Sequence, residues 1–302
     1  MEAVGRQNRT ITRKQRQSRR AYAVILPFFC YIAIWSLLPL IIGLLLGFTD
    51  FNALNGFPKW VGLKNFRTFF GSKDYLVLLV RQLWMGGLCL VANVVLSFLL
   101  ALALNIKHSL RGFFRTSVYI PNIAAAAITS GVFIALLNPF NGGINMFLKS
   151  LGMEPVIWNY SQFWMVFWII IFFVWRSVGP AAIIWLGGLQ SIDASLYEAA
   201  KVDGADKLQQ VRYITIPGLR FISAYILLTG LIGVMQMFDV VMLISHGNPY
   251  GKTDVLMYRI YRDGVISFNM GMAGSASTVL GLVTVFIAFL AFLIISKGDN
   301  NE

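Results

Sequence analysis

Charge, cysteine and histidine are all scarce in this chain of 302 residues. Only 13% of the residues are charged and 57% are hydrophobic, whereas a soluble domain carries about a quarter charged residues. A water-soluble fold this apolar has no interior large enough for its own side chains. A bilayer removes the difficulty, because that solvent is itself apolar. The two cysteines, Cys30 and Cys89, sit far apart inside apolar runs. They offer no disulfide framework and no metal-ligand spacing, and they read as small hydrophobes. The two histidines, His108 and His246, fall in a loop and at a span end, where solvated side chains explain both. Internal repeats and low-complexity segments are absent, so one membrane domain accounts for the chain.

Acidic residues are outnumbered by basic ones, 13 against 25. The excess is not spread as a nucleic-acid surface would need. Seven basic residues, Arg6, Arg9, Arg13, Lys14, Arg16, Arg19 and Arg20, crowd the first twenty positions, balanced only by Glu2. Such a tail beside an apolar run reads as a topology signal and a contact for anionic membrane lipid. The run over 21–48 is too long for a cleavable signal and lacks a small-residue cleavage site, so it reads as a retained first span.

Long apolar runs are what the chain has in abundance. A bilayer core takes about 20 apolar residues as helix. Six stretches suffice, at about 21–48, 75–106, 118–138, 162–190, 220–246 and 272–296. They are too long and too uniform for transmembrane strands, which leaves an all-α integral membrane protein with six helices. The basic tail occupies 1–20, the membrane domain 21–296 and a short tail 297–302. Lysine and arginine count fifteen on one side and eight on the other when both termini are inside. That excess places both termini in the cytoplasm.

One inner loop, residues 191–217, is longer than a link between spans requires. It reads as two short helices. Asp193 or Ser195 caps the first, and Ser195-x-x-Glu198 matches a capping box. Ala199 and Ala200 favour helix, Gly204 supplies a left-handed stop, and Leu208, Val211, Ile214 and Ile216 offer apolar surface. Pro217 stands where the fifth span begins.

The segment Glu198-Ala199-Ala200, three residues, Gly204, nine residues, Ile214-x-Ile216-Pro217 resembles the EAA coupling motif of binding-protein-dependent ABC importers. Isoleucine at 216 in place of leucine is the one departure. The likeness extends along most of the chain and is nearest to the carbohydrate branch of that family. It is carried by Gly47-Phe48-Thr49-Asp50-Phe51, Val61-Gly62-Leu63-Lys64-Asn65-Phe66, Phe114-Arg115-Thr116 with Tyr119-Ile120-Pro121, Trp175-Arg176-Ser177-Val178-Gly179, Gly188-Leu189-Gln190-Ser191-Ile192 and Phe238-Asp239. Ser245, His246 and Asn248 depart from the family's outer loop.

The resemblance implies a permease in a prokaryotic inner membrane, paired with a second homologous permease, a cytoplasmic ATPase dimer and an extracytoplasmic solute-binding protein. It implies a sugar or oligosaccharide as cargo. It also implies that Glu198, Ala199, Ala200, Asp203, Gly204, Ile214 and Pro217 couple the chain to the ATPase. Gly251-Lys252-Thr253 is not a phosphate-binding loop, since the glycine required five places earlier is His246. The chain is therefore expected to be a transport permease without catalysis, cofactor or metal of its own.

Weaker signals concern the transport path. Trp164, Trp168, Ile171 and Trp175 share one helix face, which would stack on sugar rings or simply pack. Arg176 lies in mid-span, where a charge needs a cavity or a partner, and Asp239 is the candidate counter-ion. Gln236 is a hydroxyl binder by chemistry. Trp168, Trp175, Arg176, Gln236 and Asp239 are thus the candidate path residues, with polar bridging between helices as the plainer account. The rival function is a secondary transporter or channel. It would need intramembrane carboxylates, of which only Asp239 clearly qualifies. A membrane enzyme would need clustered carboxylates, histidines or a metal site, and none is found.

Overall fold

The computed structural model describes residues 22–106 and 109–297. The basic tail, Ala21, Lys107, His108 and the last five residues lie outside them. The described elements are α1 (Tyr22–Leu46), α2 (Lys64–Gly71), α3 (Lys73–Asn105), α4 (Arg111–Ile123), α5 (Ala126–Leu136), α6 (Gly143–Ser150), α7 (Gln162–Ser191), α8 (Ala194–Val202), α9 (Lys207–Gly218), α10 (Arg220–Met235), α11 (Asp239–Ile244), α12 (Leu256–Tyr261) and α13 (Met270–Lys297). Only isolated bridges, Thr49 with Trp60 and Asn52 with Asn269, represent β-structure among the described residues.

Four helices are long and apolar enough to cross a bilayer: α1, α3, α7 and α13. The two remaining runs are not straight spans. The stretch at 118–138 is divided into α4 and α5, bent by 96°. Pro121 lies in the last turn of α4. Its ring removes an N–H and crowds the preceding turn, and Ala124 and Ala125 follow in extended conformation. The stretch at 220–246 ends its first helix at Met235 and resumes only at Asp239. Six crossings result if α4 with α5, and α9 with α10, which is bent by 71°, each count as one.

The break before Asp239 has a clear cause. Gln82 of α3 is fully buried. Its Nε2 donates to the Val234 carbonyl at 2.8 Å and its Oε1 accepts from Met257 N–H at 3.2 Å. One amide thus satisfies a carbonyl at the end of α10 and an N–H at the start of α12. Backbone can leave a helix at membrane depth only where such partners exist.

The core is organised on α3 and α7, which pack along much of their length. One cluster gathers Met85, Cys89, Ile169, Phe172, Val234 and Val241; a second gathers Ala101, Trp185, Leu189, Leu219 and Ile226. Trp185 Nε1 donates to Ser97 Oγ at 3.1 Å. Glycines set the closest approaches. A Cβ on Gly179 would meet the Val118 carbonyl oxygen, so α4 lies directly on α7. Gly47 and Gly274 bring the end of α1 against the start of α13. Elsewhere the surface of α1 is apolar and exposed, as a lipid-facing helix should be.

Candidate functional site

The 191–217 loop folds as two helices with a tight turn. Asp193 caps α8, its Oδ1 accepting from Ser195 N–H at 2.9 Å. That bond holds the Asp193 carboxyl below its usual range, because it favours the charged form. The expected box between Ser195 and Glu198 is corrected. The capping box instead opens α9, where Asp206 accepts from Gln209 N–H at 2.7 Å and Gln209 Oε1 accepts from Asp206 N–H at 2.8 Å. Asp193 sits one residue before α8 with extended backbone, which is the cap position; Ser195 is already helical. Gly204 has φ +82°, the left-handed stop that its position requires.

Tyr197 Oη and Thr215 Oγ1 lie 3.0 Å apart and join α8 to the end of α9. Glu198, Ala199, Asp203 and Gly204 are exposed, and Ala200 is half-buried. Beside them Val202 is 88% exposed and Leu208 77%, with Leu196 and Tyr213 also bare. Ile214 is half-buried and Pro217 exposed at the 71° bend that leads into α10.

The path candidates separate in space. Trp168 packs edge-on against Trp158 and Phe133, with ring centres at 5.5 and 5.7 Å. Trp175 is 44% exposed and tilts over Phe172. Arg176 and Asp239 are brought together: Nη1 donates to Oδ2 at 3.1 Å, although the two stand at different heights in the sequence. Arg176 lies 5.9 Å over the Phe172 ring, and its Nε has no hydrogen-bond partner among the described residues. Gln236 is exposed at the end of α10.

Sequence reasoning missed a cavity of about 200 Å³ between α3, α7 and α10. Asn93, Ser177, Thr229, Gly230 and Gly233 line it. Asn93 Nδ2 donates to Ser177 Oγ at 2.6 Å, and that hydroxyl donates on to the Phe173 carbonyl at 2.8 Å. Thr229 donates to the Tyr225 carbonyl at 2.7 Å. These bonds use one of the two Asn93 N–H donors and the Ser177 and Thr229 protons, while Asn93 Oδ1 and the Thr229 oxygen keep lone pairs for hydroxyl groups. A side chain on Gly233 would meet nothing, so its absence holds the cavity open. Only polar residues at matching depth on three separate helices signal this site, and pairing the helices correctly requires the fold.

The segment around Ser245, His246 and Asn248 closes on itself. Thr253 Oγ1 lies 2.9 Å from Ser245 Oγ and 2.7 Å from the Asn248 carbonyl. Arg81 donates to the carbonyls of Gly251 and Asp254, and Arg262 to the Asp254 carboxyl. Burial pushes the Asp254 carboxyl upward, opposed by Arg262 and Arg81.

Comparison with known proteins is consistent with this geometry. A family model described as "Binding-protein-dependent transport system inner membrane component" matches residues 93–297. The sn-glycerol-3-phosphate transport system permease protein UgpA of Yersinia enterocolitica is 28% identical, over 91% of this chain and 94% of its own. The polygalacturonan/rhamnogalacturonan transport system permease protein YteP of Bacillus subtilis is also 28% identical, over 90% and 87%. Among solved structures, a chain of a bacterial ABC transporter involved in the import of the acidic polysaccharide alginate superposes with TM-score 0.85. It is 26% identical, and the match covers 95% of this chain and 98% of that one. A chain of the alginate transporter in complex with alginate pentasaccharide-bound periplasmic protein gives 0.82 at 27% identity, covering 92% and 94%.

Proposed function

The chain belongs to the family of binding-protein-dependent transport system inner membrane components, and on that premise we propose that it forms, with a second permease, the path for a sugar or oligosaccharide. A solute-binding protein delivers the cargo, and a separate cytoplasmic ATPase dimer drives the cycle. The chain is a multi-span inner-membrane permease. We place both termini and the 191–217 loop in the cytoplasm, on the lysine and arginine excess.

The observation that carries the coupling reading is the bare apolar surface of α8 and α9. Leu196, Val202, Leu208 and Tyr213 are exposed on a polar loop outside the apolar runs, which marks a surface awaiting a protein partner. Glu198 and Asp203 supply charge at its rim, and Ala199 and Ala200 permit close approach. Closure of the ATPase dimer displaces α8. The Tyr197–Thr215 contact and the bend at Pro217 hand that displacement to α10. Since α10 lines the cavity and is tied through Gln82 to α3 and α12, movement below re-shapes the path above.

The cavity is the proposed cargo contact, together with Trp175, Gln236 and the Arg176–Asp239 pair. Its free acceptors suit sugar hydroxyls, and polar groups at this depth belong on a protein-lined path rather than against hydrocarbon. Asp239 is committed to Arg176, which counts against a carboxylate free to carry an ion gradient. The test is made on the purified complex. Glu198→Lys reverses charge at the docking face and should lower both the co-purifying ATPase and its stimulation by loaded binding protein. Normal values of both would leave α8 as a mere cytoplasmic hairpin.

A further inference from the structure

Between α1 and α3 the chain folds back onto the end of α1. The Asp50 N–H donates to the Lys59 carbonyl at 3.0 Å, and the Val61 N–H to the Phe48 carbonyl at 2.8 Å. Asn65 Nδ2 donates to the carbonyls of Gly47 and Thr49 at 2.9 and 2.7 Å, which fastens α2 to the point where α1 ends. Phe66 and Phe69 face inward: Phe66 lies 4.9 Å from the Phe48 ring and Phe69 is fully buried. Leu63, Arg67 and Phe70, at i, i+4 and i+7, form the opposite, exposed face. The turn before α2 leaves Leu54, Phe57 and Trp60 uncovered, Phe57 at 97%. Lys59, Lys64, Arg67 and Lys73 stand exposed among these apolar groups. None of the four is in an ion pair among the described residues, and no acidic residue occurs between Asp50 and Asp74. Asp50 itself accepts from the Lys59 backbone N–H at 2.8 Å.

We propose that residues 52–71 lie in the bilayer interface beside the end of α1 and bind an anionic lipid surface. Phe57, Trp60, Leu63 and Phe70 enter the acyl boundary, and Lys59, Lys64 and Arg67 meet the headgroups. Three observations carry this. The surface of α1 is apolar and exposed as far as Leu45, and the segment is tied to the next turn, so it meets the membrane where α1 leaves the hydrocarbon. Aromatic rings with long cationic side chains suit that zone, since each pairs an apolar body with a polar end. Charge of one sign, unneutralised by the segment itself, complements anionic headgroups. The assignment to the outer leaflet rests on the orientation proposed above; the lipid contact depends on neither cargo nor ATPase. An acidic face of the solute-binding protein is the competing occupant. It is disfavoured because the patch continues the lipid-facing surface of α1.

The experiment uses the whole purified complex in nanodiscs of phosphatidylcholine, with and without phosphatidylglycerol. In a background lacking Cys30 and Cys89, a fluorophore is attached through Phe57→Cys or Phe70→Cys, both at exposed positions whose replacement leaves the core intact. Glu154→Cys, exposed on the loop after α6, is the aqueous reference. Lipid carrying a nitroxide high on its acyl chain should quench the labels at 57 and 70, and acrylamide in the water should not; the label at 154 should behave in the opposite way. Phosphatidylglycerol should lower the residual acrylamide quenching at 57 about two-fold. Joint replacement by Lys59→Gln, Lys64→Gln and Arg67→Gln should abolish that dependence. Labels at 57 and 70 as open to acrylamide as the one at 154 overturn the proposal. So does protection that arises only when loaded binding protein is added, since the partner would then be protein. Protection from acrylamide and nitroxide lipid together overturns it too, because another subunit would then cover the patch. An undiminished phosphatidylglycerol effect in the triple variant overturns the assignment of the headgroup contact to these cations.

Discussion

Gly204 and Asp193 show how single residues set the 191–217 loop. Gly204 is left-handed, yet a Cβ placed there would touch nothing. Its requirement is therefore conformational and not steric. Gly204→Val should cost about 1–2 kcal/mol in backbone strain and reduce ATPase content in the purified complex. Gly204→Asn, which tolerates that region, should stay near wild type. Equal loss in both would point to the surface rather than the turn. At Asp193 the native carboxyl is depressed, so its contribution to the loop is complete above the ordinary carboxylate range. It disappears only as pH falls through the lowered value. ATPase retention should accordingly be flat from pH 8 down to 5 in the wild type, and Asp193→Ala should lower it at every pH in that window.

Helices meet here through close backbone contacts and single side-chain bridges. Gly179 is where α4 rests on α7, with the Val118 carbonyl oxygen inside the space of a methyl group. Gly179→Ala should destabilise by about 1–3 kcal/mol, visible as a lower melting temperature of the complex. Gln82→Leu would leave the Met257 N–H without its partner, at about 1–3 kcal/mol, and would leave the Val234 carbonyl with only the long 3.4 Å bond from Met237 N–H. Because that amide links α3 and α10 to α12, the proposed coupling should suffer as well. The variant should hydrolyse ATP with weakened dependence on loaded binding protein. In the cavity, Gly233→Leu has open space to enter. It should cut the maximal uptake rate while leaving subunit assembly and thermal stability intact; unaltered uptake would remove the cavity from the path.

At the scale of the whole molecule the testable property is sidedness. In a background lacking Cys30 and Cys89, a cysteine at Gln209 should resist an impermeant thiol reagent in intact cells, and one at Asn141 should react. Labelling of Gln209 from outside would invert the proposed orientation and detach the 191–217 loop from any cytoplasmic ATPase. The same measurement in inside-out vesicles should exchange the two outcomes.

The class of the protein was legible because its signals are local. Apolar runs report the solvent each segment meets, and the spacing from Glu198 to Pro217 lies within one short loop. The left-handed glycine was readable for the same reason, since backbone preference belongs to the residue itself. What the sequence by itself determined is thus a helical membrane permease with a structured inner loop. The tertiary structure decided where helices stop and what their polar groups meet. The straight spans expected at 118–138 and 220–246 bend or break because Pro121 crowds its own helix and Gln82, far away in sequence, captures the Val234 carbonyl. Arg176 found Asp239 and Asn93 found Ser177 only once α3, α7, α10 and α11 were packed. Hydropathy along one helix records how much of it avoids water, but not which face looks toward lipid, toward a neighbour or into a cavity; that depends on neighbours distant along the chain.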